Sequence, residues 1–309
     1  MKIKESDNYE KILKEKRKSF EYYYTELILN KWLSKFTIKG LNYKQVRFFL
    51  MNLWSIGSVA ICRPNNYKTL ESEGLDELLG EYYLLVVKYA PTDYRNIYNF
   101  PTHALPINNK GVNFIPTTPL EIDKEIVIIY AQANHHSIYE SIKSKIDKIV
   151  DLEMILYACN KIQKSSWTLG IDLDDKMAER GILNQLMSDK PFVIATLEQL
   201  KDVKGFANNS VFVSDKFEQM IQANLNEIYT YLGFDNIGVL EKKEHLLNSE
   251  VDANNDVLQV NNDSFIEQIG GDLKRASEVF NKELSIELKN KVIQEDSKEN
   301  KGENENDKD

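Results

Sequence analysis

Few residues of this 309-residue chain are spaced for chemistry, and the clearest of them are cationic. Lys242 and Lys243 follow the glycine-containing loop Phe234-Asp235-Asn236-Ile237-Gly238 and are flanked by Glu241 and Glu244. In a single subunit the pair reads as an exposed turn whose charge the two glutamates cancel. In a symmetric ring the same pair becomes a circle of positive charge. His135-His136 is the one cluster of histidines. Adjacent residues on a strand point to opposite faces, so one ion does not readily meet both, and a polar turn entering a helix is the simpler reading. Cys159 falls on the apolar stripe of a helix, where a thiol is buried and inert, and Cys62 ends a strand with no base identifiable beside it. Asp174-Asp175 sits at a helix start, where the dipole accounts for it without catalysis. The sequence holds no Gly-x-x-x-x-Gly-Lys-Ser/Thr loop, no dinucleotide fingerprint and no His-Glu-x-x-His pair. Its two cysteines make neither a disulfide scaffold nor a four-thiolate zinc site. No catalytic residue, metal ligand or cofactor is expected.

Composition narrows the class further. A hydrophobic content of 42% supports a real core, and the length suits two ordinary domains or one large discontinuous one. The 39 Lys and Arg against 48 Asp and Glu leave a net charge of −9, which argues against a protein that coats nucleic acid. No stretch approaches the roughly 20 apolar residues of a membrane span. The charged start, MKIKESDNYEKILKEKRKSF, lacks the apolar middle of a signal peptide. A soluble protein of a reducing compartment is expected.

The elements that would position these residues alternate between helical and extended patterns. Asp7 to Phe36 reads as an amphipathic helix, basic through Lys11, Lys14, Lys16, Arg17 and Lys18. Its apolar stripe is Tyr22, Tyr23, Leu27, Ile28 and Trp32. A second helix is predicted from Asn42 to Leu53. Residues 58–130 are rich in Tyr, Asn and Pro, with strand-like runs at Val59–Cys62, Tyr82–Tyr89 and Ile126–Tyr130, which predicts a small, mostly antiparallel β-subdomain. Ile138, Ile142, Ile146, Ile149, Leu152, Leu156 and Cys159 then recur in steps of four and three, predicting a helix over Ile138–Lys164 of about 40 Å. Ser214 is a candidate N-cap, with Asp215 in the first turn, for a further helix that carries Phe217, Ile221, Leu225, Ile228 and Leu232 and stops at Gly233. These two long helices are expected to run antiparallel. Between them, Trp167–Ile171, a helix from Leu173 to Met187 and Phe192–Thr196 read as strand, helix, strand, a cap with too little interior to be stable alone. The cheapest neighbour for such a cap is another copy of itself. Beyond Gly233 the sequence predicts a loop and a polar asparagine-rich stretch. A last helix over Ser264–Asn281, with Gly270-Gly271 as an interruption, and a short strand at Leu284–Leu288 follow. An acidic disordered tail is expected from Glu295.

The run Asn226-Glu227, Thr230 and Leu232-Gly233, then Leu240-Glu241-Lys242-Lys243-Glu244, then Glu250-Val251 with Asn254, resembles the upper collar protein of small short-tailed bacteriophages with protein-primed DNA replication. That protein is also called the head–tail connector or portal. Asp215-Lys216 and the spacing to Gly233 fit the same pattern. Ile126–Tyr130, Gln163-Lys164, Pro191–Ala195 and Asn281-Lys282 with Ser285–Leu288 extend the likeness in order, over about residues 8–290.

The resemblance implies an α+β portal fold assembled as a dodecameric ring around a channel, with a wing, a long-helix stem, a small α/β clip and a crown. Residues 1–137 would be N-terminal helices and β-rich wing, 138–164 and 214–233 the stem helices, and 165–213 the clip. Residues 234–254 would be a tunnel loop, 255–294 the C-terminal helix and strand of wing or crown, and 295–309 the disordered tail. It implies a non-enzymatic protein of the virion, made in the host cytoplasm and set at one capsid vertex, through which double-stranded DNA is packaged and ejected. The implied partners are capsid and scaffolding proteins, a separate packaging ATPase and the lower collar or tail. No membrane is involved. Lys216, Lys242 and Lys243 would be channel contacts, whereas a further expected lysine is Ile221. A packaging RNA binds some relatives through a basic N-terminus; here Lys11 to Lys18 is interleaved with acids, which argues against it. A dodecamer of subunits at −9 each would give a bore that does not hold DNA fast, since a duplex carries one charge per about 1.7 Å and a 40 Å stem surrounds roughly 24 phosphates. The competing readings are another collar or adaptor ring of the neck and a soluble α+β enzyme without a recognisable motif.

Overall fold

In a computed structural model the described residues are 6–65, 83–107, 115–164, 167–170, 204–207, 214–234 and 248–289. The elements in chain order begin with α1 (Ser6–Lys35), β1 (Phe36–Lys39), α2 (Tyr43–Ser55), β2 (Ser58–Cys62), β3 (Leu85–Val87), β4 (Tyr89–Pro91), β5 (His103–Pro106) and β6 (Leu120–Glu121). They continue with β7 (Ile126–Tyr130), α3 (Ile138–Lys164), β8 (Trp167–Gly170), β9 (Lys204–Ala207), α4 (Ser214–Tyr231), α5 (Asn248–Phe280) and β10 (Ser285–Leu288). Helix and sheet are both present, as the α+β expectation has it. The chain divides into one unit of Met1–Tyr23 with Lys145–Glu227 and another of Tyr24–Ser144 with Ile228–Asp309.

In the first unit, α3 and α4 run antiparallel. The Lys145 ammonium pairs with the Glu227 carboxylate at one end, and the Ser214 hydroxyl donates to Asn160 Oδ1 at 3.2 Å near the other. Ser214 is thus the first residue of α4 and spends its side chain on the neighbouring helix. Ile146, Ile149, Val150 and Leu152 of α3 and Ile221 and Leu225 of α4 are buried, so the steps of four and three do mark the packed face. Leu156 and Cys159, further along that stripe, are only half-buried. From α1, Arg17 reaches Asp151 at 2.5 Å, and Lys16 lies 5.7 Å from the ring of Tyr157. β8 pairs antiparallel with β9, Trp167 opposite Ala207. The sequence reading gave β8 but not β9, because Lys204-Gly205-Phe206-Ala207 lacks the β-branched residues that signal a strand. The expected helix Leu173–Met187 and strand Phe192–Thr196 lie outside the described residues, as does the tail from Glu295.

Among the described residues the second unit holds three sheets. β2 is central in β3-β2-β7, β5 is central in β4-β5-β6, and β1 pairs with β10. All these pairings are antiparallel. The expected run Tyr82–Tyr89 is broken: β3 and β4 belong to different sheets. Ala60, Cys62, Val87, Ala104, Ile126 and Ile128 form one apolar cluster across them, and its burial pushes the Cys62 thiol up to about 12. Helix α5 packs on β7, where Asp272 accepts from the Tyr130 amide at 2.8 Å. Trp32 is fully buried, with Phe36, Phe265 and Trp54 at ring distances of 4.9, 5.4 and 6.5 Å. On α1 the buried stripe is Tyr24, Ile28, Leu29 and Trp32, and the predicted Tyr22 and Tyr23 are exposed instead. α2 starts in a capping box: Asn42 Oδ1 accepts from the Gln45 amide at 2.9 Å, and Gln45 Oε1 from the Asn42 amide at 3.0 Å. The turn between β4 and β5 is stiff, because Asn96 Oδ1 accepts from the amides of both Tyr98 and Phe100.

Two expectations fail in α5. It begins at Asn248, so residues 248–254, read as loop, are helical, and the asparagine-rich stretch is helix interior. It also passes through Gly270-Gly271 without a break. Asparagine is a weak helix former, but Asn261 earns its place by donating to the Thr230 carbonyl at 2.7 Å. Gly270 faces Ile286 of β10, whose methyl a Cβ there would meet at an ordinary contact distance of 3.5 Å.

Candidate functional site

The surface that bears on function is α4 with its two ends. Lys216, in the first turn, is exposed, alongside Asp215 and Glu218. Ile221 is buried at 4% exposure on the opposite side of the helix, five residues and about 140° further on at 100° per residue. The position where the resemblance expects a second lysine therefore faces the core of the helix pair. The acids Asp215, Glu218 and Glu227 outnumber the single lysine of α4, and Lys145 holds the Glu227 carboxyl below its usual range through their hydrogen bond.

At its other end α4 is closed by glycine. Gly233 takes φ +69°, a conformation that costs a residue with a Cβ, and a Cβ there would come within 2.2 Å of Asn262 Oδ1. The Phe234 amide donates back to Tyr229 at 2.8 Å and the Gly233 amide to Thr230 at 3.0 Å, satisfying two carbonyls at the helix end. Two lysines of α1 meet here. Lys31 lies 3.7 Å from the ring of Tyr229, and Lys35, buried, donates to the Leu232 carbonyl. Sequence reasoning missed Lys35. Its only signal is its place between Trp32 and Phe36 in a helix that is basic elsewhere, and a pattern alone does not show that a lysine is buried.

Lys242 and Lys243 lie outside the described residues. The histidine pair is a turn leading into α3, not a shared site. His135, at φ +62°, stacks on Tyr130 at 3.7 Å, and His136 Nδ1 lies 3.5 Å from Glu140. Among the described residues no group of three His, Cys, Asp or Glu is placed to hold a metal ion. None of the described helices is long and apolar enough to cross a membrane.

Residues 6–295 match the profile of a protein family described as Phage Connector (GP10). The chain belongs to that family. Its members are structural head–tail connectors of bacteriophages, located at the neck of the phage particle. The connector resemblance read over about residues 8–290 is thus matched over nearly the same span. Among solved structures, one described as the portal and tail of native bacteriophage P68 is similar at 12% identity. It aligns over 99% of each chain with a TM-score of 0.47. Another, described as the neck of an empty GTA particle, is similar at 10% identity, over 81% of this chain and 69% of that one, with a TM-score of 0.41.

Proposed function

We propose that this connector is a portal: a ring at one capsid vertex through which double-stranded DNA enters and leaves the head. The single observation that carries the reading is the match to the connector family over residues 6–295. The antiparallel pair of α3 and α4 supports it, because long paired helices suit the stem of a channel. The exposed side of α4 supports it too, since acids with an isolated lysine bind a polyanion weakly and without reading sequence. In this reading the subunits form a dodecamer. α3 and α4 are the stem, residues 165–213 the clip, 234–254 the tunnel segment with its last seven residues helical as the start of α5, and the sheets with α1 and α2 the wing. The rest of α5 and β10 close the wing or crown. Lys216, Lys242 and Lys243 form rings that grip DNA transiently. Capsid and scaffolding proteins surround the wide end, and the packaging ATPase and later the tail dock at the clip. The role is structural and needs no cofactor. A packaging RNA is disfavoured because the basic stretch of α1 is interleaved with acids, with Lys11 3.9 Å from Glu15 and Arg17 paired with Asp151.

Light scattering and negative-stain imaging of the purified chain test this. A ring near twelve subunits is expected, and a stable species of one to four subunits would refute the portal. Replacing Lys242 and Lys243 with Ala should leave the ring intact while filled heads lose DNA faster. Loss of the ring would remove the tunnel-loop assignment.

A further inference from the structure

We propose that the hairpin tip between β4 and β5 docks into a cleft beside β6 on the next copy of this chain, as a head-to-tail contact between neighbouring subunits. The proposal rests on the ring of the portal reading and names two surfaces that join it. Tyr94, Ile97, Tyr98 and Phe100 crowd this tip, and they are 66%, 90%, 74% and 57% exposed. A whole side chain of this size covers roughly 200 Å², so together they show water about 500 Å². An ordinary monomer keeps its largest apolar patch to about 300–600 Å², and one partner of a standard interface buries about 800 Å². The tip alone therefore offers more than half of one side of an interface.

The backbone holds that surface out. The Thr92 amide donates to the His103 carbonyl at 3.0 Å, Thr102 to Tyr94 at 2.9 Å and Asn96 to Phe100 at 2.9 Å. Arg95 Nη1 donates to the Asn99 carbonyl at 3.1 Å, and Asn99 takes φ +62°, a conformation asparagine tolerates. With the two bonds to Asn96 Oδ1, these fix the turn. At about 3.3 Å per residue, Ile97 stands roughly 16 Å beyond Thr92. Rings held in place before docking lose little freedom on docking, and tyrosine, phenylalanine and arginine are the residues that anchor interfaces.

The same unit has a place to receive them. Pro64, Pro116, Leu120 and Phe280 line a cleft of about 250 Å³, below the range of small-molecule sites and suited to a side chain or two. Arg63, also in the lining, donates from Nη2 to the Phe280 carbonyl at 2.9 Å and to the Tyr83 hydroxyl at 3.0 Å. A guanidinium fixed in this way is a surface on which a tyrosine ring stacks. Leu120 pairs opposite Ala104, so the cleft lies at the root of the arm, and a stiff arm cannot bring its own tip back there. Asp93 and Arg95 accompany the tip, and the exposed Lys124 and Glu125 complete the cleft, so each surface offers the other one charge of either sign. A knob and a different hole on one chain make a heterologous contact, which closes into a ring when the rotation allows. A second copy is therefore the occupant that supplies both halves.

Cysteine cross-linking of the full-length chain tests the contact. Ile97→Cys and Lys124→Cys are co-expressed as separate chains and treated with a short bismaleimide, with the wild type as the control for Cys62 and Cys159. A covalent dimer should form only when the two are co-expressed, and a chain bearing both changes should link into a ladder of higher oligomers. No link, or linkage of Ile97→Cys to itself, overturns the proposal. Light scattering gives a second arm that needs no linker. Ile97→Ser with Tyr98→Ser, both at exposed positions, should keep the wild-type circular dichroism and raise the concentration for half-assembly at least about tenfold. Unchanged assembly of this variant beside a wild-type ring overturns the tip contact and leaves the portal reading standing. If that variant ring then fails to enter heads, a shell protein is the occupant instead. A wild type that stays at one to four subunits removes the portal reading. The tip contact falls with it unless the co-expressed cysteine variants still link, in which case the contact stands outside any ring.

Discussion

Ile221 and Lys35 show how little a residue's type says before its surroundings are known. The resemblance leads one to look for a lysine at 221, and the structure has a buried isoleucine there on the packed side of α4. At 35 a lysine is buried, but four rings and a carbonyl receive it. Installing a cation at the aliphatic site should not create a further grip point. Ile221→Lys should instead cost about 3 kcal/mol, because an unpaired ammonium loses its hydration and gains no acceptor. Urea unfolding of the variant checks this. A change below about 0.5 kcal/mol, the range for exposed positions, would mean that residue 221 faces solvent. The burial of Ile221 was legible in the apolar series Phe217, Ile221, Leu225, Ile228 and Leu232. That of Lys35 was not, because a lysine in a basic helix reads as exposed until its partners far along the chain are known.

At the scale of elements, the ladder from Ile138 to Cys159 gave the helix, and the structure starts α3 at Ile138 and ends it at Lys164. β7 was equally plain, a run of Ile and Val with four of its five residues buried. Elements defined by distant pairing were harder. β1 is strand-like only opposite β10, and the first half of α5 only makes sense once Asn261 is seen to cap a carbonyl of α4. Local signals can still be weighed singly. The Asn42–Gln45 capping box fixes the start of α2, so Asn42→Ala should lower stability by about 1 kcal/mol. Thermal melting checks it, and an unchanged midpoint would show that tertiary packing alone sets where α2 begins. Lys242 and Lys243 stand out in the sequence as adjacent cations after a glycine-containing loop, and their proposed part as channel contacts comes from the family pattern alone.

For the whole molecule, the proposed portal role accounts for a chain of this length in which no catalytic motif is recognisable. In that proposal its task is to stand beside copies of itself and let a polymer through. Truncation after Glu295 should leave assembly unchanged, because residues 296–309 contain no apolar side chain and can bury no apolar surface. Sedimentation of the truncated chain checks this, and failure to assemble would give the tail a structural part. Truncation before Ser285 is a different matter, and the reason lies in β10. Its partner β1 is made early, at Phe36–Lys39, and must wait until residue 288 has been translated. A chain that stops before Ser285 leaves the backbone of β1 without its partner strand, so closure of this small sheet registers that translation has passed residue 288.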